Sequence, residues 1–262
     1  MAIVKAEGIV IHTMKVRESS KLVTLFTREH GLLKLEARAA RTSKSRLRGS
    51  LELFSVVQIV YYEKENRSIQ FLSHADLLEI FPELQHDLER LGYASACCEL
   101  IRRTQAGAEP GPQLYPLLLE TLRVMNTARE PRLQFWGFEM KLLGALGLAP
   151  NLKTCLFCRA AGPEAGRHGE QAVWQFHVAR GGFACPACAG HAGALPLSGE
   201  ALRLLASFQA LPAARLQQLR VSPPALTEIA AFFRAYLAHH LEEAASLTSL
   251  QFLRQVTQKL QP

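Results

Sequence analysis

The sequence predicts an α+β fold, in which a small N-terminal β-barrel is followed by an α-helical bundle with an inserted module of four cysteines. Three observations lead to this prediction. Residues 1–80 contain short segments rich in β-branched and aromatic residues, which favour strands. From residue 83 onward, apolar residues recur at steps of three and four, the period of amphipathic helices. Residues 151–195 contain two Cys-x-x-Cys pairs.

Five strands are predicted in the N-terminal segment. They cover Gly8–Thr13, Lys21–Thr27, Gly31–Arg38, Phe54–Tyr62 and Ile69–Ser73. Five short strands with tight joins and one long basic connection are typical of the OB-fold, which binds oligonucleotides with one face and its loops. The sequence therefore predicts an OB-fold domain over residues 1–80.

The remaining segments carry stripes of apolar residues at helical spacing, and residues that favour helix ends stand at their limits. Pro131 and Gly147 stand where the third helix is expected to begin and end. The stripes run from Leu84 to Ile101, Leu114 to Met125, Leu133 to Leu146, Ala201 to Ala210, Leu226 to Leu237 and Leu247 to Leu260. The simplest arrangement packs them into one bundle, so that residues 81–150 and 196–262 form a helical domain around a module at residues 151–195.

The cysteine pairs predict a metal site. Their thiols belong to Cys155, Cys158, Cys185 and Cys188, with 26 residues between the pairs. Two such turns can complete the tetrahedral sulfur site that Zn²⁺ prefers. Gly181 and Gly182 precede the second pair, where the backbone has to turn sharply. We expect one structural Zn²⁺ per chain, which helps to fold a segment with little core of its own.

Other interpretations of the cysteines fit less well. A thioredoxin-type redox site uses a single Cys-x-x-Cys motif. A catalytic zinc needs an open coordination position and a positioned acid or base, but four sulfur ligands leave no vacancy, and no His-Glu-x-x-His motif is present. His168, His177 and His191 lie in or beside the module and stay open as substitute ligands.

Positive charge is concentrated at the N-terminus. The net charge is +7, and residues 1–50 hold 11 Lys/Arg against 4 Glu, while the rest of the chain holds 19 of each sign. A one-sided positive field attracts phosphate, so this domain is expected to bind nucleic acid. The predicted phosphate contacts are Arg38, Arg41, Lys44, Arg46 and Arg48, supported by Arg17, Lys21 and Lys34. Five aromatic residues either stack on bases or fill the barrel core: Phe26, Phe54, Tyr61, Tyr62 and Phe71.

Length and composition indicate a globular protein. The chain has 262 residues, of which 48% are hydrophobic. No apolar run reaches the ~18 residues of a transmembrane helix, and no signal peptide is evident. We therefore expect a cytoplasmic, nucleoid-associated protein without a membrane partner. Enzymatic activity is not expected, because the sequence has no phosphate-binding Gly-x-x-x-x-Gly-Lys-Ser/Thr motif and no acidic cluster for a two-metal site.

Several segments resemble the RecO family of bacterial DNA repair and recombination proteins. The most specific segment is Glu18–Lys34, followed by Lys44–Gly49 and by Leu53-Phe54. Further along, Phe138–Gly147, the two cysteine pairs around Gly181-Gly182, and Leu250–Leu253 occur in the family's order. The resemblance spans nearly the whole chain.

This resemblance implies a recombination mediator that binds single- and double-stranded DNA and anneals complementary strands. It also implies help in loading RecA onto DNA coated by single-stranded DNA-binding protein (SSB), together with RecR. The acidic, Phe-ended tail of SSB would bind the helical domain. Candidate contacts for this tail are Arg123, Arg129, Arg132, Phe135 and Lys141. An RNA- or ribosome-associated zinc-binding protein would show the same charge and cysteines and is the alternative.

Overall fold

The structure is a computed structural model that describes residues 2–16, 18–40, 47, 49–107, 111–163, 172–188 and 194–260. Its strands are β1 (Ala2–Val16), β2 (Ser20–Thr27), β3 (Gly31–Ala37), β4 (Val56–Glu63), β5 (Gln70–Glu79), β6 (Val173–His177), β7 (Gly182–Ala184) and β8 (Leu195–Ser198). Its helices are α1 (Glu83–His86), α2 (Leu88–Thr104), α3 (Leu114–Met125), α4 (Pro131–Ala145), α5 (Gly199–Ala210), α6 (Ala213–Leu216), α7 (Pro223–His240) and α8 (Thr248–Leu260). The predicted α+β fold is confirmed.

The first five strands form a closed barrel in the order β1-β2-β3-β5-β4. Strand β1 closes it by pairing with both β2 and β4, and β3 pairs with β5 in parallel. Alternate side chains fill the interior, including Val10, Val23, Leu25, Leu35 and Ile59, all with no exposed surface. This strand order and filled interior confirm the predicted OB-fold.

Two strands are longer than their sequence patterns indicate. Strand β1 spans Ala2–Val16 rather than Gly8–Thr13, and β5 continues to Glu79. The first half of β1 pairs with β4 and the second half pairs with β2. Many residues in both halves are exposed, so they lack a strong apolar signal. Hydrogen bonding to neighbouring strands, which a local pattern does not reveal, sets their length.

The chain forms two compact units. The first, called the barrel unit, comprises Met1–Pro131 and Leu247–Pro262. The second, called the cysteine unit, comprises Arg132–Ser246. This division differs from the expected single helical domain, because helices α1 to α3 and α8 group with the barrel. Among the described helices, none is long and apolar enough to cross a membrane.

Within the barrel unit, β1 is tied to α3 by a polar network. The Tyr115 hydroxyl donates to Glu7 Oε1 at 2.9 Å, and Arg28 Nη2 donates to the same oxygen at 2.7 Å. Arg28 also lies over the Tyr115 ring, 5.0 Å from its centroid. Burial, followed by the hydrogen bond to Glu7, raises the pKa of Tyr115. The barrel is therefore held against its helices by specific contacts as well as by apolar packing.

The cysteine unit has more core than the sequence suggests. Strands β6, β7 and β8 form a three-stranded sheet in the order β7-β6-β8. Trp174, Phe176 and Phe183 on this sheet are at most 1% exposed. Phe176 packs edge-on against Phe232 of α7, with centroids 4.9 Å apart. The expectation of a segment with little core of its own is therefore wrong.

Candidate metal centre and nucleic-acid interface

The four predicted cysteines come together in the cysteine unit. The Sγ atoms of Cys155, Cys158, Cys185 and Cys188 all lie within 4.8 Å of one another. Cys158 Sγ and Cys185 Sγ are 3.6 Å apart. A tetrahedral site with metal–sulfur bonds of about 2.3 Å has sulfur–sulfur edges of about 3.8 Å. The four thiols are therefore positioned to bind a metal ion.

Local hydrogen bonds shape the first cysteine turn. The Cys155 amide donates to Ala160 O at 2.8 Å, and the Leu156 amide donates to Phe183 O at 2.8 Å. Arg159 follows the turn with a φ of 61°, a left-handed conformation that reverses the chain. The amides of Phe157 and Cys185 point at Cys155 Sγ, at 3.4 and 3.3 Å. The backbone thus supplies donors that stabilise a thiolate.

The turn that leads into β7, just before the second cysteine pair, contains two glycines, as predicted. Gly181 has a φ of 61°, and the Asn151 amide donates to its carbonyl. At Gly182, a Cβ atom would lie 2.8 Å from the Leu156 side chain. Glycine therefore permits both the turn and the close approach of β7 to the first cysteine pair.

The surroundings of the four thiols shift their pKa values in different directions. Burial raises the pKa of Cys155, but backbone hydrogen bonds from Cys158, Cys185 and Phe157 outweigh it and lower the pKa to about 6. Hydrogen bonds with Cys158 and Cys185 raise the pKa of Cys188 to about 12. Neighbouring thiolates repel one another, so a bound cation is what would allow all four sulfurs to ionise together.

Histidine does not complete the cluster in the described part of the cysteine unit. His177 lies on β6 and packs edge-on against Phe157, with ring centroids 5.6 Å apart, and it is not among the clustered ligands. His168 and His191 lie outside the described residues.

The outer face of the barrel carries a row of apolar side chains. Ile3 pairs with Tyr62 across β1 and β4, and Tyr62 pairs with Phe71 across β4 and β5. Directly opposed residues point to the same face of a sheet, and Tyr61, next to Tyr62, is buried in the core. Ile3 is 68% exposed. The row therefore offers an apolar and aromatic surface to solvent.

Two arginines flank the Phe71 ring. The guanidinium carbons of Arg38 and Arg67 lie 4.2 and 5.0 Å from its centroid. Gln70 braces the turn that carries Arg67, because its side chain bonds Lys64 N and O at 3.0 Å and Arg67 O at 2.8 Å. Sequence reasoning missed Arg67. An isolated arginine in a turn gives no signal until the fold brings it to Phe71.

The structure separates the predicted DNA-binding residues into three groups. Arg38 and Lys34 are exposed on or just after β3. Lys21 is 18% exposed and forms an ion pair of 2.9 Å with Glu52. Five others lie outside the described residues: Arg17, Arg41, Lys44, Arg46 and Arg48. Three of the five aromatic candidates are core residues, since Phe26, Phe54 and Tyr61 are at most 1% exposed.

The five residues predicted to bind the SSB tail lie in both compact units. Arg123 binds Glu79 through Nε at 3.0 Å and Nη2 at 2.6 Å. Phe135 is 2% exposed, so its side chain is a core residue and does not form the wall of a surface notch. Arg129 is exposed, and Arg132 and Lys141 are partly exposed. The tail site itself stays a prediction.

Comparison with known proteins assigns most of the chain to two family domains. Residues 1–81 match the family domain described as Recombination protein O N terminal, and residues 85–250 match Recombination protein O C terminal. The chain belongs to the RecO family. The boundary between these family domains falls just after β5, at the end of the barrel.

Curated RecO-family relatives cover nearly the full length. A protein named DNA repair protein RecO from Desulforamulus reducens is 32% identical over 95% of this chain and 93% of its own. Those of Roseiflexus sp. and Halalkalibacterium halodurans, with the same name, are 34% and 30% identical. They cover 98% and 94% of this chain, and 88% and 95% of their own lengths. The resemblance noted from sequence motifs is confirmed.

Proposed function

We propose that this chain is a recombination mediator in DNA repair that binds single- and double-stranded DNA without sequence preference. It anneals complementary strands and, with RecR, assists the loading of RecA onto DNA coated by SSB. The observation that carries the proposal is the flanking of Phe71 by Arg38 and Arg67 on an OB-fold barrel. Membership of the RecO family, whose curated members are named DNA repair proteins, supports it.

The arrangement suits a single strand. Unstacked bases can lie on the row of Ile3, Tyr62 and Phe71, while Arg38 and Arg67 contact the adjacent phosphates. Every base has an aromatic face and every nucleotide has a phosphate, so such contacts carry no sequence preference. A strand held with its base edges outward is able to pair with a complement, which is the step that annealing requires.

The cysteine cluster has a structural role in this proposal. Cys155, Cys158, Cys185 and Cys188 provide four sulfur ligands, and a four-coordinate Zn²⁺ would leave no position for substrate or water. The metal would fix the two cysteine turns against β6 and β7. No enzymatic step is assigned to this chain.

The test is a binding titration of single-stranded DNA over a salt series. Phe71→Ala should weaken binding by roughly 1–3 kcal/mol through lost stacking, with a smaller effect on duplex DNA, whose bases are already stacked. Arg38→Ala with Arg67→Ala should lower the slope of log K against log salt by about 0.7 per lost phosphate contact. Fluorescence anisotropy with labelled oligonucleotides measures both.

Arg254→Ala is the matched control, because Arg254 is exposed on α8 and lies outside the barrel strands. It should leave the affinity for single-stranded DNA unchanged, in contrast to Phe71→Ala. If Phe71→Ala and the double arginine variant bind like wild type, this face is not the DNA interface. An RNA of equal length that binds much more tightly than DNA would favour the alternative of an RNA-associated protein.

A further inference from the structure

A half-open cavity with both polar and apolar walls lies in the barrel unit, away from the row at Phe71. Its volume is about 330 Å³. Strand β1 contributes His12 and Thr13 to its wall, and α2 contributes Ser95 and Arg102. The first turn of α8 and Leu53, which precedes β4, complete it. The cavity thus combines side chains from three elements that are distant in sequence.

A β-bulge directs the β1 residues into this cavity. Val10 pairs with Leu25 and His12 pairs with Thr24. Ile11 is therefore an extra residue with no partner on β2. A bulge changes the direction in which the following side chains point, and bulges are frequent beside binding sites. Ile11 is buried and also lines the cavity, and the exposed side chain of His12 follows it there.

Glu99 also lines the cavity, but its carboxylate is already occupied. It accepts hydrogen bonds from Thr248 N at 3.0 Å, Ser249 N at 2.9 Å and Ser249 Oγ at 2.8 Å, and it pairs with Arg103. Burial raises the pKa of Glu99, but these hydrogen bonds outweigh it and lower the pKa. Its charge is therefore compensated by Arg103 and the start of α8, and Arg102 stays an uncompensated cation.

Four polar side chains meet at the cavity without a hydrogen-bonding partner among the described residues. They are the His12 imidazole, the Thr13 and Ser95 hydroxyls and the Arg102 guanidinium. Arg102 forms no ion pair in that part of the chain either. Of the residues that line the cavity, Arg102 and Glu99 are the two that carry a charge at neutral pH. Two hydroxyls and two basic groups are donors that match the oxygen atoms of a phosphate group.

The two basic groups also act on each other. Burial and then the charge of Arg102 lower the pKa of His12. Like charges that face one cavity are costly, and an anion between them removes that cost. A bound phosphate would therefore raise the pKa of His12.

We propose that this cavity binds a phosphate group, held by His12 and Arg102 and by the hydroxyls of Thr13 and Ser95. The group could come from inorganic phosphate or from the backbone of a nucleic acid, because both present the same oxygen atoms. The site does not depend on the proposed DNA function, since it is defined by donors that any phosphate satisfies.

The experiment follows the His12 ring resonances by NMR in protein with isotope-labelled histidine. One arm adds inorganic phosphate, a second adds a single-stranded oligonucleotide, and a third adds sodium chloride at matched ionic strength. We expect phosphate, and not chloride, to shift the His12 resonances and raise its pKa. Arg102→Ala should weaken phosphate binding by about tenfold or more, because a charge-assisted hydrogen bond is lost.

Arg254→Ala is the matched control. Arg254 is an exposed arginine of the same unit, on α8, and it does not line the cavity. It removes the same charge and should leave the response of His12 unchanged. Arg102 is exposed, so its variant is expected to melt at the wild-type temperature, and a melting curve checks this.

The arms give separate outcomes. A His12 response in the phosphate arm, or in the oligonucleotide arm alone, supports the site and identifies free phosphate or a backbone phosphate as its source. No response in either arm, or equal loss in Arg102→Ala and Arg254→Ala, overturns it. Oligonucleotide binding without a His12 response would leave the DNA function intact while removing this site. A phosphate response without any DNA binding would support this site and contradict the proposed DNA function.

Discussion

At the scale of single residues, Glu99 joins two parts of the chain that are far apart in sequence. It lies on α2 and is 5% exposed, and its two carboxylate oxygens receive the first amides of α8. The first amides of a helix have no partner within the helix, and a carboxylate there also suits the helix dipole. One buried acid therefore anchors the C-terminal helix to the barrel unit.

We expect Glu99→Gln to destabilise the protein by roughly 1.5–3 kcal/mol at pH 7, because hydrogen bonds to a charged group are lost. The pKa of Glu99 is lowered in the folded state, so its contribution is complete above the unfolded pKa. It disappears as the pH falls through the lowered folded value. The variant should therefore lose less stability than wild type on acidification. Urea unfolding at pH 7 and in mild acid measures both effects.

Glu120→Gln is the control, because Glu120 is exposed on α3 in the same unit. It should change the unfolding free energy by less than about 0.5 kcal/mol. Equal effects of the two substitutions would contradict the role given to Glu99.

At the scale of elements, the packing of α8 on α2 depends on a small residue. A Cβ atom at Gly92 would lie 2.8 Å from Leu253 Cδ2 and 3.1 Å from Leu253 Cβ. Both residues are buried. Glycine in a helix interior lowers stability relative to alanine. Its use here indicates that the close packing of the two helices stabilises the fold by more than the glycine costs.

Gly92→Val should destabilise the protein by about 1–3 kcal/mol, because the added methyl groups collide with Leu253. Gly144→Val is the matched control, since a Cβ atom at this exposed helical glycine meets nothing within 4 Å. Combining Gly92→Val with Leu253→Ala should cost less than the sum of the two single changes. Additive costs in a urea-unfolding cycle would show that the two residues are not in contact.

At the scale of the whole molecule, stability is divided between two compact units, and the cysteine cluster belongs to one of them. The four cysteines lie within Arg132–Ser246. Sheet and helix residues such as Phe176 and Phe232 give this unit a core that does not depend on metal. Metal loss should therefore weaken this unit without abolishing its fold.

The double substitution Cys155→Ser with Cys158→Ser tests the metal site. Elemental analysis should find one zinc per wild-type chain and none in the variant. Since metal binding contributes directly to folding, the variant should melt roughly 10 °C or more below wild type. Hydrogen exchange should increase within residues 132–246 and stay unchanged in the barrel unit.

Cys97→Ala serves as the control, because Cys97 is a buried cysteine of the barrel unit. It should keep the full zinc content. A wild-type protein without metal, prepared without chelator, would refute the assignment. A stable cysteine variant that loses a hydrolytic activity would show instead that the metal is catalytic.

The sequence by itself determined the features that depend on local pattern. Alternation of apolar residues located the five barrel strands, and the spacing of Cys155, Cys158, Cys185 and Cys188 predicted their cluster. The turn at Gly181 was predicted for the same reason, since only a few residues tolerate a φ of 61°. Each of these follows from residue types and spacings that can be read along the chain.

Only the tertiary structure decided which distant residues meet. The grouping of α8 with the barrel follows from Glu99 and Gly92, whose partners lie about 150 residues away along the chain. Likewise, Arg67 reaches Phe71 through a turn held by Gln70, and His12, next to the bulge at Ile11, lines the same cavity as Arg102. Such contacts are set by packing and hydrogen bonding between elements, and a local pattern carries no record of them.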